Sequence, residues 1–249
     1  MSNSPELLKG KKVVVVGGSS GIGFAVAAAT LAHGATVVIS SSSETRVADA
    51  VKRLGGDANK LVSGIAVDVR DDAKLCAFLD DVGPFDHLVW TASDRLVTTY
   101  PNTDIPQSKH VFDVNFWAPA VAGKHIHDKG LIPPGGSITL TTGISYIRPG
   151  KGWTISGGSA GARVSLAKGM AVDLAPIRVN IISPGAVDTE FWDTTDPAEK
   201  EMILTAIAQK QLLKYIAGPE EIAEAYIFAM KCSYFTGQAI QVDGGLLLA

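Results

Sequence analysis

The chain has 249 residues, of which 46% are hydrophobic and 19% are charged, and its formal net charge is −3. This composition predicts one globular α/β domain with a large core, so neither a disulfide nor a metal is needed to hold it together. The small negative charge and the lack of basic runs exclude nucleic acid as an expected partner.

Three further features bear on the compartment. No apolar stretch reaches the ~20 residues of a membrane helix, so no membrane association is expected. Residues 1–6 lack a positively charged segment before an apolar run, so no signal peptide is predicted. Cys76 and Cys232 lack metal-ligand spacing, and their sparsity fits a reducing compartment. We therefore expect a cytoplasmic protein with no metal site.

The first predicted unit is a strand, a glycine-rich turn and a helix. Residues 13–16 are four valines, the turn reads Gly17-Gly18-Ser19-Ser20-Gly21-Ile22-Gly23, and the helix runs over 24–31. The free N–H groups and the dipole at a helix N-terminus attract an anion, and glycine lets the backbone approach it. The G-x-x-x-G-x-G spacing in this context predicts a dinucleotide pyrophosphate site, and a purely structural turn is the alternative.

Strands and helices alternate along the rest of the chain. Further strands are predicted over 36–40, 61–67, 86–91, 136–142, 177–182 and 238–242. Helices are predicted over 45–54, 71–81, 108–127, 156–174, 198–215 and 219–230. This alternation predicts a doubly wound parallel sheet with helices on both faces and with ligands at the carboxyl ends of the strands. Because no repeat or linker interrupts it, residues 1–249 are predicted to form a single domain.

Six motifs, spaced along nearly the whole chain, resemble those of the short-chain dehydrogenase/reductase family. They are Gly17-x3-Gly21-Ile22-Gly23, Asp68-Val69, Asn115 within 113–116, Arg178-Val179-Asn180, Pro184-Gly185-x3-Thr189, and Thr236-Gly237-Gln238 with 242–245. The resemblance implies a Rossmann-type fold with a seven-stranded sheet and a nicotinamide dinucleotide cofactor. It also implies a small-molecule substrate and a homodimer or homotetramer.

The same resemblance assigns parts of the site. Asp68 and Val69 are expected at the adenine, the 184–185 turn and Thr189 at the nicotinamide end, and segment 188–216 at the variable wall of the substrate pocket. The residues predicted to bind the cofactor are Gly17, Ser19, Ser20, Gly21, Ile22, Gly23, Ser40, Ser41, Ser42, Arg46, Asp68, Val69, Ala92, Pro184, Gly185, Val187 and Thr189.

The end of the second strand predicts which dinucleotide binds. An acid there selects NAD(H), because it accepts from the ribose hydroxyls. Here residues 40–43 are all serine, and the first acid, Glu44, is out of register. Hydroxyls, backbone N–H groups and the Arg46 charge favour a 2′-phosphate, so we expect NADP(H) rather than NAD(H). The serines are also expected to cap the next helix, and the two roles are compatible.

The family's usual proton-transfer residues do not fall at their expected positions. Relatives carry a Ser after the fifth strand and a Tyr-x-x-x-Lys thirteen residues later, in which Tyr exchanges the substrate proton and Lys lowers its pKa. In this chain the three positions are Gly143, Ser156 and Ala160, and residues 90–93 alter a further family motif. Of the set, Asn115 remains.

Nearby polar residues are the candidates for the chemistry. The candidate catalytic residues are Asn115, Thr142, Ser145 and Ser156. Tyr146 has Gly150 rather than Lys four residues on, so it is interpreted as a loop aromatic that lines the pocket. Asp94 and Arg95 are expected to form a solvent-exposed ion pair.

Residues 137–143, 148–149 and 183–192 resemble an atypical branch of the family, common in fungal biosynthetic clusters. Some of its members reduce cationic C=N bonds, and others assist a cycloaddition with an Arg near position 115 and an Asp in the loop that here reads Gly150-Lys151-Gly152. We predict an NADP(H)-dependent reductase of an iminium or activated carbonyl in secondary metabolism. The alternatives are a cofactor-binding cyclase or isomerase and an inactive dinucleotide-binding protein.

Overall fold

A computed structural model describes residues 5–56, 60–94, 96–193 and 195–249. Its strands are β1 (Lys12–Val16), β2 (Thr36–Ser41), β3 (Val62–Ala66), β4 (His87–Trp90), β5 (Ser137–Thr141), β6 (Arg178–Pro184) and β7 (Ala239–Val242). They form one parallel sheet in the order β3-β2-β1-β4-β5-β6-β7. The predicted Rossmann-type, doubly wound α/β fold is confirmed.

Eight α-helices lie in the described residues. They are α1 (Gly21–Ala32), α2 (Glu44–Arg53), α3 (Asp72–Val82), α4 (Ile105–Ser108), α5 (Ala118–Lys129), α6 (Thr154–Asp173), α7 (Pro197–Lys210) and α8 (Pro219–Lys231). Within the described ranges, none of the helices is long and apolar enough to cross a bilayer.

The prediction of one continuous helix over 108–127 is wrong. The structure instead has the short α4, a π-helical turn at Asp113–Trp117 and then α5. Pro119 has no N–H to donate to the carbonyl of residue 115, so the regular hydrogen-bond ladder is interrupted just before it. This interruption sets the conformation of the turn that carries Asn115.

The sheet separates two apolar layers. Alternate residues of a strand point to opposite faces, so Val14 and Val16 pack with α3, α5 and α6, while Val13 and Val15 pack with α1 and α8. All four valines are at most 1% exposed, as expected for a central parallel strand. The chain order reverses at β1, which pairs with both β2 and β4. Ligands of such sheets bind at the carboxyl edge beside this reversal.

Candidate active site

The turn between β1 and α1 has no room for side chains at two of its glycines. A Cβ on Gly17, which has a φ of +88°, would lie 2.5 Å from the backbone nitrogen of Ala92. A Cβ on Gly23 would lie 2.2 Å from the Gly17 carbonyl oxygen. The backbones of the turn and of the loop after β4 are therefore in direct contact, and the first N–H groups of α1 face the carboxyl edge. This is the cradle that a pyrophosphate requires.

Ser40 supports this turn through its backbone. Its carbonyl oxygen accepts hydrogen bonds from the N–H groups of Gly17 and Gly18 at 2.8 and 3.1 Å. The Ser40 side chain is 0% exposed, and β2 continues to Ser41. The Ser40 hydroxyl is therefore enclosed in the doubly covered sheet, and the part of Ser40 that contacts the turn is its carbonyl.

The other serines lie where β2 leads into α2. Ser42 is exposed, and its Oγ accepts from Nη2 of Arg46 at 3.3 Å. Ser43 is the N-cap of α2, and its Oγ accepts from the Arg46 N–H at 3.4 Å. The predicted helix cap is confirmed at Ser43. A guanidinium, hydroxyls and a helix N-terminus thus lie together at the end of β2, and Glu44 follows as the first residue of α2.

The Asp68–Val69 pair lies beside an ion pair between the exposed Arg70 and the buried Asp94. Asp68 is exposed and accepts from Arg70, while Val69 is 6% exposed. Arg70 also pairs with Asp94, which is itself only 6% exposed. Burial acts to lower the pKa of Arg70, but Asp94 and Asp68 outweigh it, and the pKa is raised. The expectation that Asp94 forms an exposed ion pair with Arg95 is wrong for Asp94, and Arg95 lies outside the described residues.

The loop after β6 forms another wall of the site at the carboxyl edge of the sheet. Pro184 ends β6, and the N–H of Gly185 donates to the carbonyl of Val242 on β7 at 2.9 Å. Val187 is buried and forms a parallel bridge with Ala217. This isolated bridge, outside the seven-stranded sheet, brings together the two ends of residues 188–216, the segment predicted to line the substrate pocket.

That segment touches the dinucleotide turn. Thr189 begins a short 3₁₀ turn at Glu190–Trp192, and a Cβ on Gly21 would lie 3.3 Å from the Thr189 side chain. Oε2 of Glu190 accepts a hydrogen bond from the Gly21 N–H at 2.8 Å. Sequence reasoning missed Glu190, although an acid directly after the predicted Thr189 contact was the available signal.

The three positions predicted for the family's proton-transfer residues lie on α6 and after β5. Gly143 has an extended backbone with φ −151°, and a Cβ there would have no neighbour nearer than 3.9 Å. Ser156 is 4% exposed, and its Oγ accepts from the Val97 N–H at 2.8 Å and donates to the Val97 carbonyl at 2.9 Å. Ala160 follows one turn later and is also buried. The Ser156 hydroxyl thus ties the loop after β4 to α6.

Asn115 is held in the same region by backbone and side-chain contacts. Its Oδ1 accepts from the Asp94 N–H at 3.3 Å, and its Nδ2 donates to Oγ of Ser159 at 3.4 Å. The Asn115 side chain is 2% exposed. The π-helical turn therefore presents this amide to the loop after β4 and to α6.

The remaining polar residues near Gly143 differ in burial and in hydrogen bonding. Thr142 is buried, and its hydroxyl donates to the Ala160 carbonyl at 3.0 Å. Ser145 is half-buried. The Tyr146 hydroxyl accepts from Nε2 of Gln241 at 2.9 Å, which directs it towards β7. Of Thr142 and Ser145, only Ser145 is partly exposed, and it lies two residues after Gly143.

Sequence reasoning also missed a buried cation. Arg163 is 7% exposed and lies on the same face of α6 as Ser156 and Ala160. Its Nη1 donates to the Thr141 carbonyl at 2.6 Å, at the carboxyl end of β5. Burial lowers the pKa of Arg163 to about 10. Its 3.6-residue spacing from the buried residues of α6 was the signal that could have identified it.

Comparisons with known proteins agree with this geometry. A family model for an SDR-like Rossmann domain matches residues 6–249. A short-chain dehydrogenase/reductase of Malbranchea aurantiaca, malC, is 35% identical over 98% of this chain and 97% of its own length. One from Acremonium, ucsE, is 35% identical over 100% of this chain and 99% of its own.

Two solved structures extend the comparison. That of MalC, described as a reductase/Diels-Alderase, has a TM-score of 0.91 at 33% identity and covers 98% of this chain and 99% of its own. A small-chain dehydrogenase in complex with NADPH has a TM-score of 0.79 at 29% identity, with coverages of 97% and 100%. The chain belongs to the short-chain dehydrogenase/reductase family, whose Rossmann domain binds a nicotinamide dinucleotide.

Proposed function

We propose that this chain is an NADP(H)-dependent reductase whose substrate carries a cationic C=N bond or an activated carbonyl, in a biosynthetic rather than a central metabolic role. The observation that carries the proposal is the double hydrogen bond between the Ser156 hydroxyl and the backbone of Val97. At the position predicted for the relatives' proton donor, this chain has a hydroxyl that holds the loop after β4 against α6.

The fit of the cofactor rests on this chain's own backbone. Gly17 and Gly23 have no room for a Cβ because the turn packs against itself and against the loop after β4, and this tight strand–turn–helix packing is typical of a dinucleotide-binding unit. Arg46 and Ser42 at the end of β2 would hold a 2′-phosphate by charge-assisted hydrogen bonds, and residues 40–43 carry no acid to repel it. The solved neighbour that contains NADPH supports the same preference.

The bound cofactor would supply a hydride, and every other requirement falls on the protein. A ketone that accepts hydride becomes an alkoxide and needs a proton, and the loss of a positioned acid costs roughly 10²–10⁴-fold in rate. The hydroxyls of Ser156 and Thr142 already donate to backbone carbonyls. An iminium becomes a neutral amine and needs no proton at that step. Orientation of the substrate by segment 188–216 and by the loop after β5 then suffices.

A second function has one specific observation in its favour. The solved structure described as a reductase/Diels-Alderase shares the fold of this chain at a TM-score of 0.91. A cyclase of that kind would use an acid in the loop at 150–152, and this loop reads Gly150-Lys151-Gly152. We therefore rank cyclisation or isomerisation below reduction.

The first experiment measures the cofactor. NADPH and NADH are titrated by fluorescence into the wild type and the Arg46→Ala variant, with Lys52→Ala as the control that removes the same charge from the other end of α2. We expect NADPH to bind more tightly than NADH in the wild type and in Lys52→Ala. Arg46→Ala should weaken NADPH about tenfold and leave NADH nearly unchanged. Equal binding of the two cofactors by the wild type would contradict the NADP(H) proposal.

The second experiment measures the reaction. Stopped-flow oxidation of NADPH is followed with panels of cyclic imines and of ketones. Imine-dependent oxidation without ketone turnover is the expected result. Rapid ketone reduction would refute the acid-free reductase, because it requires a proton donor at the substrate oxygen. Tight NADPH binding without oxidation on either panel would favour the cyclase or an inactive binding protein.

We also propose that the chain acts as a homodimer or homotetramer in the cytoplasm. The family resemblance supports the assembly, and light scattering tests it directly against the chain mass of 26.0 kDa. A monomer at micromolar concentration would contradict it.

A further inference from the structure

The carboxylate of Glu190 occupies the N-terminus of α1. Gly21 is the first residue of that helix, so its N–H has no partner within the helix. The N-cap residue, Ser20, makes no side-chain capping hydrogen bond. The Gly21 N–H instead donates to Oε2 of Glu190 at 2.8 Å, across 169 residues of sequence. The acid of a distant segment therefore caps the helix at the cradle.

The Glu190 carboxylate binds an N–H group of α1 that would also bind a phosphate of the cofactor. A helix N-terminus favours a carboxylate and a phosphate alike, through its free N–H groups and its dipole. An N–H that donates to Glu190 is not free to donate to a phosphate oxygen, and the two anions repel each other at contact distance. The carboxylate and a dinucleotide phosphate therefore exclude each other at Gly21.

The neighbouring contacts place the rest of the segment against the cradle too. The Thr189 side chain lies 3.3 Å from where a Cβ of Gly21 would be. Asp188 is paired with Lys200 at 2.8 Å, so that acid is neutralised within the segment. Glu190 is exposed and its carboxylate lies on α1. The charge that meets an incoming phosphate at this helix is thus that of Glu190.

We propose that Glu190 is a built-in competitor of the dinucleotide. A phosphate of the dinucleotide replaces the Glu190 carboxylate at the Gly21 N–H, and Glu190 is thereby released from the turn. The inference rests on the proposed cofactor site at the turn. This exchange couples the affinity for the cofactor to the position of the substrate-pocket segment. A ligand shifts a conformational equilibrium by its difference in affinity for the two states, which here are Glu190 on the turn and Glu190 released from it.

Binding of NADPH to the wild type, Glu190→Gln and Glu190→Ala tests the exchange. Glu199→Gln is the control, because Glu199 is an exposed acid of the same segment in the first turn of α7. Loss of a charge at a helix N-terminus and of a charge-assisted hydrogen bond predicts NADPH binding about three- to tenfold tighter in both Glu190 variants. Glu199→Gln should bind as the wild type does.

The movement of the segment has its own readout. Trp192 lies two residues after Glu190, and its indole N–H donates to the Val187 carbonyl at 2.9 Å. Tryptophan emission is recorded during titration with NADP⁺, which does not absorb in the emission range, and Trp192→Phe identifies the contribution of this residue. We expect NADP⁺ to change the Trp192 emission of the wild type, and Glu190→Gln to show much of that change before any ligand is added.

The outcomes separate this inference from the proposed function. If the wild type binds NADPH but the Glu190 variants bind no tighter, the exchange is refuted and the cofactor site stands. If Glu199→Gln tightens binding as much as Glu190→Gln, the effect is one of general charge and the specific competition is refuted. If neither the wild type nor any variant binds a dinucleotide, the cofactor site fails and the exchange fails with it.

Discussion

Replacement of Gly23 by alanine tests the geometry of the cradle. The added Cβ would lie 2.2 Å from the Gly17 carbonyl oxygen and 2.4 Å from Oγ1 of Thr91, so the turn or the loop after β4 must move. The Thr91 hydroxyl lies 3.0 and 3.2 Å from the carbonyls of Val16 and Gly17, and a shift weakens these contacts. Overpacking costs about 1–3 kcal/mol and a lost hydrogen bond about 1 kcal/mol.

Alanine also raises helix propensity by about 1 kcal/mol, so the expected net loss for Gly23→Ala is about 1–3 kcal/mol. Gly169→Ala on α6 is the matched control, because a Cβ there has nothing within 4 Å. The control should gain about 0.5–1 kcal/mol from the same propensity term. Urea denaturation gives both free energies of unfolding, and NADPH titration should show binding at least about tenfold weaker for Gly23→Ala alone. Equal stability and equal NADPH binding of the two variants would refute the steric argument.

Three further substitutions test other parts of the molecule. Ser156→Ala should lower the free energy of unfolding by about 1–3 kcal/mol, because it leaves the N–H and carbonyl of Val97 unpaired. The control Ser145→Ala should change that free energy by less than about 0.5 kcal/mol. Similar losses for the two variants in urea denaturation would contradict this prediction. Burial lowers the pKa of His87 to about 4, below its unfolded value of about 6.5, so only the unfolded state takes up the proton between these values. Stability should therefore fall by about 2 kcal/mol from pH 8 to pH 5, a loss that His87→Gln should abolish, and an unchanged pH slope in that variant would show that another group is responsible. Gly143→Ser should change the free energy of unfolding by less than about 0.5 kcal/mol, since the backbone is extended and the atom nearest to an added Cβ lies at 3.9 Å. A large drop in melting temperature would show that the loop has no room for the serine side chain.

The parts of the fold that are encoded locally could be predicted from the sequence. The valines of β1, the glycine turn and the alanine-rich α1 each follow from neighbouring residues, and their boundaries agree within a few residues. Where tertiary contacts decide, prediction was wrong. The helix predicted to reach residue 215 ends at Lys210, because the Gln211 side chain donates to the Tyr215 carbonyl and the Leu213 N–H donates to the Gly244 carbonyl.

Burial of single polar side chains was the least predictable property of the site. The sequence places Ser40 at the end of a strand, but β2 is one residue longer, and that residue decides whether the hydroxyl is inside the sheet or at its edge. Asp94 in a loop looks solvated from its neighbours alone. Its burial depends on Arg70, 24 residues earlier, and on the N–H of Val114, 20 residues later. Neither partner is local, so no pattern around Asp94 indicates them.

The loop after β4 and the start of α6 form one unit, and this limits how the chemistry of the site can change. Besides the two Ser156–Val97 hydrogen bonds, the Tyr100 N–H donates to the Gly152 carbonyl at 3.2 Å, and a Cβ on Gly152 would lie 2.2 Å from the Thr98 carbonyl oxygen. A tyrosine at 156 would have to displace the loop that the serine now holds. A Ser156→Tyr substitution should therefore lower the free energy of unfolding. It follows that the serine at 156 and the position of the loop after β4 depend on each other, through the two hydrogen bonds to Val97.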